Sequence, residues 1–259
     1  MSRAVAVLFG LTLPFCLNAQ ISLGPTVASF GVLAGSTVTN SGPTLVVGNL
    51  GVSPGTAITG FPPGTVSGSI NSANGLAGTA QTELTTAYNA AAGAMSTAVA
   101  PADIGGLTLN PGVYTTATSL GITGAVTLNG QGNTNSQFIF QIGSTLTTAA
   151  GSSVVLINGA QASNVFWQVG SSATLGTTTL FAGNILALSS ISLNTGATIQ
   201  GRALARNGAV TLLSNTINAP STSPPITPAP SSLILITTAL ICLGMYQSRD
   251  RLLRPFRRS

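Results

Sequence analysis

Through the second half of the chain the apolar residues come in short runs, separated by glycine, asparagine, serine and threonine, and four triplets within them share one grammar. Leu146-Thr147-Thr148, Ala173-Thr174-Leu175, Ile191-Ser192-Leu193 and Val210-Thr211-Leu212 each set a small hydroxyl between two less polar neighbours, with no charged residue nearby except Arg202 and Arg206. Side chains alternate across a strand, so each hydroxyl would face outward while its neighbours face a core. If the strands stack, the product is a flat ladder of Thr and Ser. Such a surface carries no catalytic chemistry and suits contact with something extended.

The runs also repeat. Phe138-Ile139-Phe140-Gln141-Ile142-Gly143-Ser144 matches Val165-Phe166-Trp167-Gln168-Val169-Gly170-Ser171 after 27 residues; Ile185-Leu186-Ala187 and Ala203-Leu204-Ala205 follow at shorter, uneven intervals. Each unit holds a large apolar strand, then a hydroxyl triplet, then a third segment such as Val154-Val155-Leu156, Ala197-Thr198-Ile199 or Asn215-Thr216-Ile217. Three short strands per turn predict a triangular solenoid, whose coils, about 4.8 Å apart, pair every strand above and below. Gly170, Gly183, Gly201 and Asn207-Gly208 fall where tight corners would call for positive φ. A β-sandwich is the competing all-β fold, but its hairpin signals are sparse here.

One segment has a different period. Residues 75–100 are alanine-rich, and Leu84, Tyr88, Ala91, Met95 and Ala98 recur at helical spacing. Asn71, Ser72 and Asn74 are candidate caps and Pro101 a stop. The stripe bears no functional polar group, so the helix is expected to pack along one solenoid face, the one containing Phe140, Phe166 and Trp167.

Composition narrows function by exclusion. The 259-residue chain is long enough for a real core, and its net charge of +5 comes from its ends. Between Gln20 and Ser248 the charged residues are Glu83, Asp103, Arg202 and Arg206, which cancel. No basic patch for nucleic acid is expected on the domain despite a pI near 10.3. The chain has no histidine, and its two cysteines, Cys16 and Cys242, lie in the terminal apolar segments. Triad chemistry and thiol metal sites are thereby removed, two distant carboxylates make a poor acid–base pair, and neither an enzyme nor a cofactor is expected.

Both ends read as addresses. Residues 1–19, with Arg3, an apolar run and Leu17-Asn18-Ala19, predict a secretory signal peptide cut before Gln20. A domain is expected over 20–219, a Pro/Ser/Thr linker over 220–229 and a hydrophobic, basic tail over 230–259. The apolar run at 233–246 is short for a membrane span. Its order resembles a PEP-CTERM sorting tail, although the tripeptide is Pro228-Ala229-Pro230; a plain membrane anchor is the alternative. Either places the domain outside the cytoplasm, secreted or at the cell surface.

Several motifs together carry a family resemblance. Gly31-Val32-Leu33-Ala34-Gly35-Ser36-Thr37-Val38-Thr39-Asn40, Gly48-Asn49-Leu50-Gly51-Val52-Ser53-Pro54-Gly55-Thr56-Ala57-Ile58-Thr59-Gly60-Phe61, Pro111-Gly112-Val113-Tyr114, Asn164-Val165-Phe166-Trp167-Gln168-Val169 and Gly201-Arg202-Ala203-Leu204-Ala205, with the strand at Phe138, resemble the DUF3494 ice-binding proteins in order over 23–218. The resemblance implies a right-handed, discontinuous triangular β-solenoid with a helix packed alongside, in which residues 23–70 complete coils at one end. It implies ice as the partner, bound through one flat face, with a monomer expected. The positions matching that face are Thr59, Gly121, Thr147, Thr174, Ser192 and Thr211, with Thr37 or Thr39 on a further rung. A Thr-(Ala/Gly)-X-(Thr/Asn) motif of some members stands here as Thr56-Ala57-Ile58-Thr59 and Thr195-Gly196-Ala197-Thr198, but not at Thr123-Gly124-Ala125-Val126. Gly121 leaves a gap in the hydroxyl row. Threonine suits any exposed strand, so the triplets alone do not name a ligand, and a surface adhesin or matrix protein without ice activity is the alternative.

Overall fold

The computed structural model describes residues 20–220. The expected signal peptide over 1–19, most of the expected linker and the expected sorting or anchor tail lie outside the described residues. Within them the chain winds into a three-sided solenoid of parallel strands, sharing one path from coil to coil: a large apolar strand, a hydroxyl-bearing strand, then a short third strand. Seven short strands, six of them hydroxyl-bearing, form one sheet by themselves. The other two faces merge into a single 15-stranded sheet. Two long strands, Leu180–Ala187 and Thr198–Ala205, turn the corner between them without a break. Gly183 and Gly201 make that bend at φ 118° and 148°. Gly170 and Gly208 serve differently from the expectation: neither has positive φ, and a Cβ there would come within 2.4 Å of Gly143 O or 2.3 Å of Ser190 Oγ in the preceding coil.

The coils are out of sequence order. Strands from residue 98 to residue 218 climb in one direction, and the N-terminal strands continue the stack: Phe30–Ala34 pairs with Thr198–Ala205, Thr37–Ser41 with Val210–Leu213, and Leu45–Val47 with Thr216–Asn218. The helix then returns the chain to the far end, where Ala98–Val99 pairs with Gly112–Thr116.

That helix spans Gly75–Ala92, shorter than the expected 75–100. Asn74 caps it, its side-chain oxygen accepting from the Ala77 N–H at 2.9 Å. Gly93 is the C-cap, so Pro101 plays no part; Met95 is 74% exposed, and Ala98 belongs to a strand. The helix's buried face, Ala80, Leu84, Tyr88 and Ala91, lies on one outward row of the apolar strands: Val113, Ile139, Phe166, Leu186, Leu204 and Leu33. Six rungs need about 24 Å at strand spacing, and an 18-residue helix supplies about 27 Å. The match explains why one helix covers this face. Of the three aromatics expected beneath it only Phe166 meets it. Phe140 and Trp167 alternate to the inside, stacked 3.9 Å apart and 7° from parallel, with Tyr114 continuing the pile on Phe140.

The junction between the C-terminal and N-terminal coils is held by polar groups. Arg202, 3% exposed, donates from Nε and Nη2 to Ala28 O, from Nη1 to Asn184 Oδ1 at 2.9 Å and from Nη2 to Pro220 O at 2.9 Å. Burial lowers its pKa to about 10. At another corner, Asn215 Nδ2 donates to Asn194 O and Ala197 O, the Asn215 N–H to Thr44 Oγ1, Thr44 to Asn40 Oδ1, and Asn40 Nδ2 to Gly60 O. Four successive coils are thereby stitched through side chains.

Candidate functional site

The seven-stranded sheet aligns one outward residue per coil: Gly121, Thr147, Thr174, Ser192, Thr211, Thr39 and Thr59, each in register with the next. Six rung steps at strand spacing make the row about 29 Å long. Beneath it, Leu120, Leu146, Ala173, Ile191, Val210 and Val38 point into the core and are buried, so packing fixes the backbone that carries the hydroxyls. The inward Thr148 is satisfied there, sharing a 2.8 Å hydrogen bond with Thr179 and accepting from the Gly176 N–H.

Register settles the rung left open. Thr39, not Thr37, stands between Thr211 and Thr59; Thr37 is two residues away and opposes Ala57. Thr56 is exposed, just ahead of the strand Ala57–Thr59, with its carbonyl accepting from Ser72 Oγ. Thr195 lies off the ladder. It occupies the turn after Ile191–Leu193, and Gly196 at φ 72° bends that motif around the corner, delivering Thr198 to the third face. The two motif copies, alike in sequence, therefore sit differently: one runs along the ladder face and the other leaves it.

Beside the ladder runs a second row that the triplets did not reveal: Ser119, Thr145, Ser172, Ser190 and Thr37, each two residues before a ladder position. The sequence signal is hydroxyl-X-hydroxyl, as in Thr145-Leu146-Thr147 and Ser172-Ala173-Thr174. Part of this row serves the scaffold. Thr145 donates to Ser119 Oγ at 2.7 Å, Ser172 Oγ accepts from the Ser190 N–H, and Ser190 Oγ accepts from the Ala209 N–H. Hydroxyls committed to the backbone hold the strand edges in place and have less to offer a ligand.

Charge is kept to one end. Asp103 bridges to Gly121 and occupies the next rung, where Oδ1 accepts from the Gly105 N–H at 2.7 Å and the Thr123 N–H at 3.1 Å. Hydrogen bonding from Thr123, then from Gly105, lowers its pKa below the ordinary 3.8. Arg206, at the corner leading into the Val210–Leu213 strand, is drawn to the helix side by the Tyr88 ring, 4.7 Å from its guanidinium carbon. The ladder from Gly121 to Thr59 is itself neutral.

A solenoid presenting a neutral row of hydroxyls and methyls over a packed core has the form of a protein that meets an extended surface. Residues 32–218 match the family described as ice-binding-like, and the chain belongs to that family. It is 51% identical over 232 residues to an ice-binding protein of Nostoc sp. (strain HG1), covering 87% of this chain and 86% of that one. Among solved structures it is similar to an ice-binding protein from an Antarctic biological consortium, with TM-score 0.75 and 46% identity over 83% of this chain and 95% of the other. The ice-binding protein of Antarctomyces psychrotrophicus is also similar, with TM-score 0.75 and 42% identity over 78% of this chain and all of the other. These relatives are ice-binding proteins rather than enzymes, in keeping with the expectation from composition.

Proposed function

We propose that this protein adsorbs to ice through the row Thr147, Thr174, Ser192, Thr211, Thr39 and Thr59, and thereby slows crystal growth or recrystallisation. The observation that carries the reading is the unbroken register of six hydroxyl residues on a neutral, fully backed sheet, in a chain of the ice-binding family. Threonine methyls cage nearby water while the hydroxyls hold that water by hydrogen bonds. A row of such sites at strand spacing orders a layer of water able to merge with a crystal. Each contact is weak; the face acts as a whole because its backbone is already fixed and little conformational entropy is lost on binding. Charges would hold water more strongly and in other orientations, so their exclusion from the row suits the task.

The test uses residues 20–220. The cut falls after Pro220 because Arg202 donates to that carbonyl. Faceted growth under the microscope and arrested recrystallisation are the expected results. Unshaped crystals and normal recrystallisation at high protein concentration would sink the reading, and binding to polysaccharide in their place would favour the adhesin.

A further inference from the structure

At the corner between the third face and the helix-covered face, a groove of about 300 Å³ opens between two walls. One wall is the loop carrying Gln161 and Ser163; the other is built from Gln200, Asn218 and Pro220. The coil between them turns directly through Gly183, inside the strand Leu180–Ala187, and sends out no loop. At that level it brings only Ala182 opposite Gln200.

One buried network holds both walls. Asn184 donates from Nδ2 to Ser163 O and Val165 O, each at 3.1 Å, and accepts from Arg202 Nη1 at 2.9 Å. Arg202 in turn donates from Nη2 to Pro220 O at 2.9 Å. The groove is therefore held open by the fold, and a ligand would spend little on ordering it.

Its lining has hydrogen-bonding capacity to spare. Gln200 and Asn218 are exposed and in register on adjacent strands, about 4.8 Å apart at strand spacing. Among the described residues neither side chain makes a hydrogen bond, nor does Ser163 Oγ, and Gln161 makes one long bond, from Nε2 to Gly159 O at 3.4 Å. Each amide offers an acceptor and two donors, and the hydroxyl offers both kinds. Leu156 and Pro220 add apolar surface, and no charged side chain among the described residues lines the groove.

That inventory selects the ligand. An ion finds no counter-charge. A wholly apolar molecule would strip water from four polar side chains and return nothing. An extended peptide finds no free edge, because the strands bearing Gln200 and Asn218 are already paired on both sides. A sugar ring has both parts that the groove asks for: neighbouring hydroxyls, each donor and acceptor, and an apolar C–H face to lie on Leu156 and Pro220.

We propose that this groove is a binding site for neutral carbohydrate, taking one or two sugar units. Its size stands at the lower end of small-molecule sites. Each coil runs from the helix-covered face to the ladder face to the third face, so the groove's corner is opposite the ladder. The two sites are separate, and this one does not rest on the ice-binding reading.

The experiment titrates isotope-labelled full-length chain with maltose, cellobiose, lactose and mannobiose, and with glucuronate as a charged control, following side-chain amide signals by NMR. At least one disaccharide should shift the amides of Gln161, Gln200 and Asn218 saturably, in the millimolar range, while the backbone signals of Thr174 and Thr211 stay in place. Replacing Gln200 and Asn218 together by Leu keeps bulk and removes the donors, and should weaken binding at least about tenfold with ice shaping unchanged. Ser163→Trp fills the groove from the opposite wall and should weaken binding as much, which guards against a fold defect in the double variant. No saturable shift with any of the four disaccharides, or variants that bind as the parent does, would overturn the site. Equal binding of glucuronate would overturn the neutral ligand. Saturation alongside unshaped ice would sink the ice-binding reading alone; shaped ice without saturation would sink this proposal alone.

Discussion

Thr211 stands opposite Thr39 in the ladder, although the helix and most of the solenoid lie between them along the chain. It is the rung at which the row passes from C-terminal coils to N-terminal ones, and its alignment depends on how residues 20–72 dock. Arg202 is the clasp at that junction, joining Ala28, Asn184 and Pro220. Replacing it with Met leaves buried carbonyls without their donor and should cost about 3 kcal/mol in denaturant unfolding. Arg206→Met, which removes a half-buried cation from the Tyr88 ring, should cost about 1 kcal/mol. Equal losses would mean that Arg202 does not hold the junction.

The working face is tested by bulk. Thr174→Tyr and Thr211→Tyr place a large ring on the row without entering the core, so stability should change by about 1 kcal/mol or less, while ice shaping and recrystallisation inhibition fall sharply. Thr127→Tyr is the control. Thr127 lies on the third face, paired with Thr108 and Val155, and its change should leave activity near that of the parent. Comparable losses at all three positions, with folding intact by circular dichroism, would show that the wrong face has been chosen.

The repeat of large apolar strand, hydroxyl triplet and third segment was legible because strand alternation and coil stacking are local physics, visible in spacing alone. So was the helix start, where Asn74 and an alanine-rich run agree. Its end was not: Met95 and Ala98 continue the helical spacing, yet Gly93 caps the helix and Ala98 is drawn into strand pairing with Tyr114. The choice between Thr37 and Thr39 also escaped the sequence, because both point outward from one strand and only docking against Thr211 separates them. Arg202 reads as an ordinary charge until its three distant carbonyl and amide partners converge on it.

Stability should be nearly flat across neutral pH. The chain has no histidine, and the described domain has two carboxylates, Glu83 and Asp103. Asp103 has a folded pKa below its ordinary 3.8, held down by Thr123 and Gly105. Its contribution is therefore fully present above 3.8 and is lost as pH falls through the lower folded value. The side chain is largely solvated, so the effect should be small, and Asp103→Asn should remove it. A transition in stability near pH 6 to 7, read by thermal melts, would contradict this account, since that is the range in which histidine titrates and the chain has none.

Gly121 is the rung where the row loses its hydroxyl, and the surrounding geometry permits its repair. Its φ does not lie in the left-handed region, and a Cβ would stand 3.3 Å from Ala102 O and 3.5 Å from the Asp103 carboxylate. The tight contact is with the Ala102 carbonyl, which must give by a few tenths of an ångström in this end coil, while the distance to the exposed Asp103 side chain is ordinary contact. A β-branched residue replacing a strand glycine recovers backbone entropy, so Gly121→Thr should alter stability by no more than about 1 kcal/mol in either direction. It would extend the ladder to seven hydroxyls and should raise recrystallisation inhibition at equal concentration. The neighbouring carboxylate could divert the new hydroxyl, and the pairing of Gly121→Thr with Asp103→Asn separates that effect: the double variant should be at least as active as the single. If both fold and neither exceeds the parent, while Thr147→Gly lowers activity, the working edge of the face lies at Thr147 and the Gly121 coil serves only to cap the stack.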